Sequence, residues 1–309
     1  MSSSGSAISV RQGQLEVFFA KHGNLIWKLF VGFFVLYILM PPLLLVAVSF
    51  EPSGIVRVNT GFSLRWYDKM INSRGLMDAL FKSILLAFLT TAVTTLLALQ
   101  AALGYRKARF KTLIIAIMIL PIFLPGIIQG FSLSLLLTEC LGLQRSLWTE
   151  LVGHVLWALP FAFLVILTSM SVVKRETVLA AMDLGANEWR AFRDIEYPII
   201  KPGITSAAIF SYVLSFNEFS RTYYLQGIGQ TIPTYVWNKI TVAITPEIFA
   251  LSSLTVILSL TLIAIATIYL TTVGRVAKAR KEKAIPRPAV KSRHKAPAPA
   301  AATAAAEKA

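Results

Sequence analysis

Long apolar blocks alternate with short polar and basic segments along most of the chain. Six blocks reach the length of about 18 to 20 residues that a helix needs to cross the hydrocarbon core of a bilayer. They cover residues 29–50, 83–105, 112–138, 151–173, 202 to about 225, and 248–273. This pattern predicts an all-α polytopic membrane protein with about six transmembrane helices, and a permease domain spanning 29–273.

The third block contains helix breakers in its middle. Pro121, Pro125, Gly126 and Gly130 fall within one 27-residue apolar stretch, 112–138. Broken helices at membrane depth are tolerated where the backbone is buried in protein or lines a cavity. We therefore expect Pro121 and Pro125 to belong to a translocation pathway, the alternative being a kink without a ligand.

The positions of the basic residues predict how the protein is oriented in the membrane. The 309 residues are 56% hydrophobic, yet the net charge is +15, and four Lys or Arg residues crowd into 106–111. Basic residues in short loops between apolar blocks follow the positive-inside rule rather than forming a nucleic-acid-binding stripe. The loop and both termini are therefore expected in the cytoplasm, and nucleic acid is not an expected partner.

The two ends of the chain differ in composition from the apolar blocks. Residues 1–28 are rich in Ser and Gly and are predicted to form a flexible cytoplasmic lead rather than a cleaved signal peptide. Residues 274–309 are basic and then rich in Ala and Pro, which predicts disorder and adsorption to anionic membrane lipid.

The fifth block is the least apolar. Asn217, Glu218, Arg221, Tyr223 and Tyr224 follow one another closely near its end. Charged residues within a span are costly and normally face protein or water. Either Glu218 and Arg221 pair with each other on one helical face, or these five residues line a cavity in which Glu218 attracts a cationic solute.

The sequence lacks the motifs that several classes of protein need for their function. The sequence has no G-x-x-x-x-G-K-[ST] phosphate loop, no His, Cys and carboxylate cluster at metal-ligand spacing, and one cysteine, Cys140. No catalytic residue, metal or cofactor is predicted, and His154 is interpreted as a hydrogen-bonded residue rather than a proton relay. An ion-coupled secondary transporter stays open as an alternative.

The segment 174–201 is the longest charged interruption of the apolar pattern. Ala180, Ala181, Leu184, Trp189 and Phe192 recur at helical spacing, which predicts a short amphipathic helix between spans four and five. Gly185 falls inside the pattern. It indicates a bend between two short helices or a close approach by another backbone.

These residues resemble the cytoplasmic loop of inner-membrane permease subunits from binding-protein-dependent ABC importers, with the pattern E-A-A-x3-G-x9-I-x-L-P. Ala180, Ala181, Gly185, Ile195 and Pro198 match it. Two positions differ, because Leu179 replaces the glutamate and Tyr197 replaces the leucine. The stretches 182–186 and 215–219 are also similar to these permeases, especially those of spermidine/putrescine-like systems, and the likeness extends from about residue 62 to 270.

The resemblance implies a coupling segment and several partners. Residues expected to contact a separate cytoplasmic ABC ATPase are Ala180, Ala181, Asp183, Gly185 and Ala186. It further implies a second permease subunit, identical or homologous, a periplasmic solute-binding protein, and a location in the bacterial inner membrane. A polyamine-like cation is the expected solute, and an amino acid derivative, a phosphonate or a sugar is the alternative.

Overall fold

The computed structural model describes residues 4–53, 61–242 and 246–284, and no strand occurs among them. The helices are α1 Ser4–Ser49, α2 Arg65–Ile71, α3 Arg74–Lys107, α4 Lys111–Phe123, α5 Gly126–Leu135, α6 Leu147–Met170, α7 Arg175–Asp183, α8 Glu188–Ala191, α9 Tyr197–Phe216, α10 Ser220–Leu225, α11 Ile232–Val242 and α12 Glu247–Ala284. Two π-helical turns, Leu136–Cys140 and Phe192–Glu196, extend α5 and join α8 to α9.

The number of spans agrees with the sequence pattern. Five helices in the described residues are long and apolar enough to cross a membrane, and α4 with α5 makes a sixth if the bent pair is one span. Chain contacts divide the protein into Met1–Leu270 and Thr271–Ala309. All contacts described below lie in the first unit.

Helices α3, α6 and α9 form the centre of the protein. Half of the buried residues in the cluster between them are alanines, and Ala98, Ala102, Ala162 and Ala207 are fully buried. Small residues let membrane helices approach closely, which strengthens their van der Waals packing. The second cluster, around Phe216, joins this centre to α2 and to the first turns of α12.

Two helices contribute little to this packing. No side chain of α4 is buried, and the most apolar stretch of α1 after Gly23 is also unburied. Apolar surface of this extent is left for lipid or for another subunit to cover.

The fifth span differs from its predicted boundaries. The prediction of a continuous span over 202–225 is wrong, because α9 starts at Tyr197 and ends at Phe216. The carboxylate of Glu218 accepts a hydrogen bond from the backbone amide of Arg221 at 2.9 Å. The side chain thereby satisfies a free amide at the start of α10, so a new helix begins where the pattern predicted continuation.

The first helix extends into the N-terminal segment. The composition of residues 1–28 predicts a flexible lead, but the structure is helical from Ser4 onward. No proline precedes Pro41, so nothing in the sequence stops the helix of the first span from continuing backward. In the C-terminal segment 274–309, α12 extends to Ala284, and 285–309 lie outside the described residues.

Candidate functional site

Two interrupted helices lie against each other in the protein interior. α4 ends at Phe123 and α5 begins at Gly126, with an angle of 102° between the two segments. α9 ends at Phe216 and the six-residue α10 begins at Ser220. α10 packs against α5 and α6. Both breaks therefore contribute to one interior region, which we call the broken-helix site.

Glycines allow α10 to fit into this region. A Cβ atom at Gly130 would lie 2.8 Å from Cα of Arg221, and one at Gly153 would lie 2.4 Å from Cδ1 of Leu225. A Cβ atom at Gly126 would lie 3.0 Å from Cβ of Ser220. Two of these separations are shorter than real Cβ contacts, so α10 can occupy its groove only beside residues without side chains.

A buried ion pair connects the two breaks. Nη1 of Arg221 lies 3.0 Å from Oε2 of Glu218, and both side chains are more than 90% buried. Nε of Arg221 donates a 2.7 Å hydrogen bond to Oε1 of Gln129, whose amide nitrogen donates to the carbonyl of Pro121. The guanidinium carbon stands 4.1 Å from the ring centroid of Trp157. Charge, amide and ring contacts together hold the guanidinium between α5, α6 and α10.

His154 connects α6 to both sides of the second break. Its Nδ1 lies 2.7 Å from Oγ of Ser215, and its Nε2 lies 2.7 Å from Oγ1 of Thr222. The Thr222 hydroxyl donates its only hydrogen to the carbonyl of Glu218, so it must accept from Nε2–H. In the neutral ring, Nδ1 then accepts from Ser215. The imidazole is fully hydrogen-bonded, as the sequence interpretation expected.

A second buried ion pair closes the end of the bundle next to α10. Nζ of Lys82 lies 2.6 Å from Oε1 of Glu150, which is fully buried, and also donates to the carbonyl of Gly229 at 2.9 Å. The backbone amide of Gly227 donates to the same carboxylate oxygen. These bonds attach the loop after α10 to the starts of α3 and α6.

A row of five aromatic rings borders α10. The rings of Phe131 and Tyr224 are 5.8 Å apart, Tyr224 and Tyr223 5.3 Å, Tyr223 and Phe219 5.6 Å, and Phe219 and Trp237 5.2 Å. Phe131, Tyr223 and Trp237 are exposed. A solute beside α10 would meet ring faces, which attract cations and apolar groups.

The charged segment 174–201 forms two short helices rather than one. After α7, the amide of Ala186 donates to the carbonyl of Ala181 at 3.0 Å, and that of Gly185 donates to Met182 at 2.9 Å. This pair of bonds is a Schellman motif, which requires a left-handed residue at the position of Gly185. Gly185 has a φ of +92°, and a Cβ there would meet nothing within 4 Å. Backbone conformation, and not close approach within this chain, therefore explains the glycine.

The turn after α7 presents large apolar side chains to the surroundings. Leu184 is 90% exposed and Trp189 64% exposed. The side chain of Asn187 accepts a hydrogen bond from the amide of Arg190 at 2.8 Å and so caps α8. The cap and the Schellman motif fix the corner on which Leu184 is displayed.

Two ion pairs join this segment to the basic loop after α3. Nη1 of Arg106 lies 2.7 Å from Oε2 of Glu196, and Nζ of Lys107 lies 3.0 Å from Oε2 of Glu188. The first pair is largely sheltered, whereas both members of the second are about three-quarters exposed. The basic loop and the segment 174–201 thus lie at the same end of the bundle.

Metal ligands are not gathered anywhere in the described part of the chain. No three His, Cys, Asp or Glu side chains in it come together in a way that could hold a metal ion. Cys140 is free and exposed.

A family model for the inner membrane component of binding-protein-dependent transport systems matches residues 94–279, which is more than half of the chain. The chain belongs to this family. It is a permease subunit of an import system, and the resemblance in the segment 174–201 is confirmed.

Curated relatives support the same assignment. The permease is 33% identical over 235 residues to the putrescine transport system permease protein PotI of Escherichia coli, covering 73% of this chain and 83% of the relative. It is 27% identical over 233 residues to the spermidine/putrescine transport system permease protein PotC of Haemophilus influenzae, covering 74% and 90%.

Solved structures share the fold. A chain of a bacterial ABC transporter involved in the import of the acidic polysaccharide alginate superposes with a TM-score of 0.62 at 15% identity, covering 84% of the permease and 99% of that chain. A second structure, of the alginate transporter in complex with a pentasaccharide-bound periplasmic protein, gives 0.61 at 18% identity, covering 82% and 96%. The predicted all-α fold with about six spans is confirmed.

The structure separates the predicted pathway residues of the permease into two groups. Asn217 and Tyr223 are exposed and Tyr224 is half-buried, whereas Glu218 and Arg221 are buried against each other. The pairing alternative for Glu218 and Arg221 is thereby confirmed. Pro121 lies in the last turn of α4, and Pro125 precedes the first residue of α5.

The partners of this pair were missed from the sequence. Gln129 and Trp157 lie 92 and 64 positions before Arg221, which is too far apart for any local pattern to connect them. Gln129 is the only glutamine in its apolar block, and a buried amide needs a hydrogen-bond partner. Its position was therefore the one signal in the sequence that could have pointed to a polar contact inside the bundle. Lys82 and Glu150 were also missed, since each stands at the edge of an apolar block where charges are ordinary.

Proposed function

We propose that the permease is driven by a separate cytoplasmic ABC ATPase that docks on the segment 174–201. The predicted contact residues are Ala180, Ala181, Asp183, Gly185 and Ala186. Ala180, Asp183 and Gly185 are exposed, and Ala181 and Ala186 are half-buried beside them. The observation that carries the proposal is the capped corner that displays Leu184, since an exposed apolar side chain on a charged segment outside the bundle is available for contact with a protein partner.

The connection from this corner to the membrane supports the same role. α8, the π-helical turn and α9 form one helix from Glu188 to Phe216 without an intervening loop. Pro198 and Pro202 remove two backbone donors near the start of α9, and the helix continues without a loop from there to Phe216, so a displacement can be transmitted along it. Closure of an ATPase against α7 and α8 would therefore be transmitted to Phe216, two residues before Glu218.

Further partners follow from the family and from the uncovered apolar surface. We propose a second permease subunit, identical or homologous, and a periplasmic solute-binding protein. α1 and α4 leave apolar surface for the second subunit or for membrane lipid. The basic loop lies beside the segment 174–201, which supports a cytoplasmic position for that end of the bundle and for both termini.

We propose a small organic cation of the polyamine type as the solute. The named functions of the relatives from E. coli and H. influenzae support this choice, as does the aromatic row beside α10. Asn217, Glu218, Arg221, Tyr223, Tyr224, Pro121 and Pro125 are the proposed pathway residues. The alternative is another small solute, such as an amino acid derivative, a phosphonate or a sugar.

Reconstitution tests the proposal. The permease, with the ATPase and membrane subunit that copurify with it in mild detergent, is placed in proteoliposomes with its binding protein and supplied with radiolabelled putrescine. We expect uptake that requires ATP and falls in the Glu218→Gln variant well beyond any fall in protein level. Copurification without an ATPase, or ATP-independent uptake, contradicts the coupling role. Uptake of neutral or anionic solutes alone contradicts the polyamine assignment.

A further inference from the structure

The guanidinium of Arg221 is surrounded by a carboxylate, an amide oxygen and an aromatic ring, which are groups that bind organic cations. We propose that Glu218, Gln129 and Trp157 form a cation-binding site in the permease, and that Arg221 is a tethered competitor which the transported cation displaces. This inference rests on the proposed import of a cation. It adds an occupied site and an exchange step to that function.

The chemistry of the three groups is that of a cation site. The carboxylate of Glu218 supplies the opposite charge, the amide oxygen of Gln129 accepts a hydrogen bond, and the ring of Trp157 presents its negative face. None of the three contacts is specific to arginine. A primary ammonium or a free guanidinium would satisfy the same carboxylate, oxygen and ring.

The site is assembled from separate elements. Gln129 belongs to α5, Trp157 to α6, and Glu218 to the break between α9 and α10. Arg221 itself sits on α10, which is six residues long and is flanked by the break on one side and a loop on the other. An isolated helix of that length is not stable, so α10 keeps its place through packing in the glycine-lined groove. A modest shift of α10 would withdraw the guanidinium from Gln129 and Trp157, which belong to other helices.

Burial favours the exchange. Arg221 and Glu218 are both more than 90% buried, and a buried carboxylate left without a counter-charge is strongly unfavourable. Entry of another cation therefore lowers the cost of displacing Arg221. Neutral solutes would leave Glu218 unpaired, and anionic solutes would repel it. The pair thus selects for positive charge while remaining neutral at rest.

The aromatic row provides an approach to the site. A Cβ atom at Gly130 would lie 3.3 Å from the ring of Tyr224 and 2.8 Å from Cα of Arg221, so this ring lies next to the backbone of the competitor. The ring of Tyr223, which is exposed, contacts Tyr224. A cation held on these ring faces would stand beside α10 before it reaches Glu218.

A reversible disulfide tests the displacement. Gly126→Cys and Ser220→Cys are introduced with Cys140→Ser, because the Cβ atoms at 126 and 220 are 3.0 Å apart and need only a small shift to reach disulfide geometry. In proteoliposomes with the ATPase and binding protein, we expect oxidation to lower ATP-driven putrescine uptake at least tenfold, and a reductant to restore it. The matched controls carry Gly126→Cys alone or Ser220→Cys alone, each with Cys140→Ser, and oxidation should leave their uptake unchanged.

The outcomes separate this inference from the proposed function. In the reduced double variant the disulfide is open, so its putrescine uptake tests the proposed import function alone. If the oxidised double variant transports putrescine as fast as its reduced form, α10 does not need to leave α5. That result overturns the tethered-competitor proposal and leaves the import function standing.

Charge variants test the competition itself. We expect Arg221→Gln to tighten putrescine binding about tenfold in the permease–ATPase complex solubilised without the binding protein. The same variant should slow uptake in proteoliposomes that contain the binding protein. Arg221→Lys should stay within about threefold of the unmodified protein in both. Adding Glu218→Gln to Arg221→Gln should abolish the gain in affinity. A purely structural Arg221 would lower thermal stability without changing putrescine affinity, and that result overturns the proposal.

Discussion

Nη1 of Arg106 lies 2.7 Å from Oε2 of Glu196, so the last turn of α3 is bound to the π-helical turn that joins α8 to α9. Glu196 is buried and Arg106 is partly covered. A neighbouring pair, Lys107 and Glu188, connects the same two segments but is largely exposed. The two pairs therefore allow a matched comparison of buried and exposed anchoring.

We expect Glu196→Gln to lower the stability of the permease by about 1 to 3 kcal/mol, because it leaves the partly buried guanidinium without its counter-charge. Thermal unfolding in detergent measures the loss. Glu188→Gln is the control and should leave the unfolding temperature unchanged, since exposed pairs contribute little. Equal effects of the two substitutions contradict the distinction between the anchors.

At Gly185 the prediction concerns the backbone. Gly185→Val should disrupt the Schellman turn, because a β-branched residue is a marked outlier at a φ of +92°. We expect the variant to remain in the membrane, to lose most ATP-driven uptake and to copurify with less ATPase.

Gly185→Asn is the control for this position. Asparagine tolerates left-handed conformations and has open space for its side chain, so it should keep more activity than valine. Normal uptake in the valine variant argues against a role for this corner in coupling.

The contact of α6 with α9 depends on Gly203. A Cβ atom there would lie 1.8 Å from Oγ and 2.3 Å from Cβ of Ser169. Gly203→Ala should therefore force the helices apart and cost about 1 to 3 kcal/mol. Thermal unfolding and the yield of folded protein measure the effect.

A compensating substitution tests the assigned cause. Ser169→Gly removes the colliding side chain, and the double variant should recover much of the stability lost by Gly203→Ala. If the two losses simply add, the destabilisation arises from a contact other than Ser169.

His154 is predicted to hold the second break in position. His154→Leu leaves the hydroxyl of Ser215 and that of Thr222 without the ring nitrogens that they bond. We expect a loss of about 1 to 3 kcal/mol together with reduced uptake. Trp148→Leu, at an exposed position of the same helix, should change neither property by a comparable amount. A fully stable and active leucine variant excludes a positioning role for His154.

The helical spans could be predicted from the sequence because each is marked by a continuous run of apolar residues. Apolar length identified the spans, and the breakers at Pro121 and Pro125 identified the interruption that becomes a bend of 102°. The break after Phe216 was missed. There the helix ends because Glu218 caps a new one and pairs with Arg221, while Gln129 and Trp157 complete the pairing from other helices.

The segment 174–201 shows the same contrast. Its spacing predicted a helix, and of the two explanations offered for Gly185 the structure shows the bend rather than the close approach. Its attachment to Arg106 and Lys107 could not be read from the pattern, because those residues lie about 80 to 90 positions earlier and meet it only after α3, α6 and α9 have packed.

The uninterrupted helix from Glu188 to Phe216 has a mechanical consequence. At 1.5 Å per residue its 29 residues measure about 40 Å, so a tilt of about 5° at one end displaces the other by roughly 3.5 Å. A displacement of that size exceeds the range over which the 2.7 Å hydrogen bond between Ser215, in the last turn of this helix, and His154 of α6 survives. The helix thus has the leverage to turn a small angular change near Glu188 into the opening of a bond at the far end of the bundle.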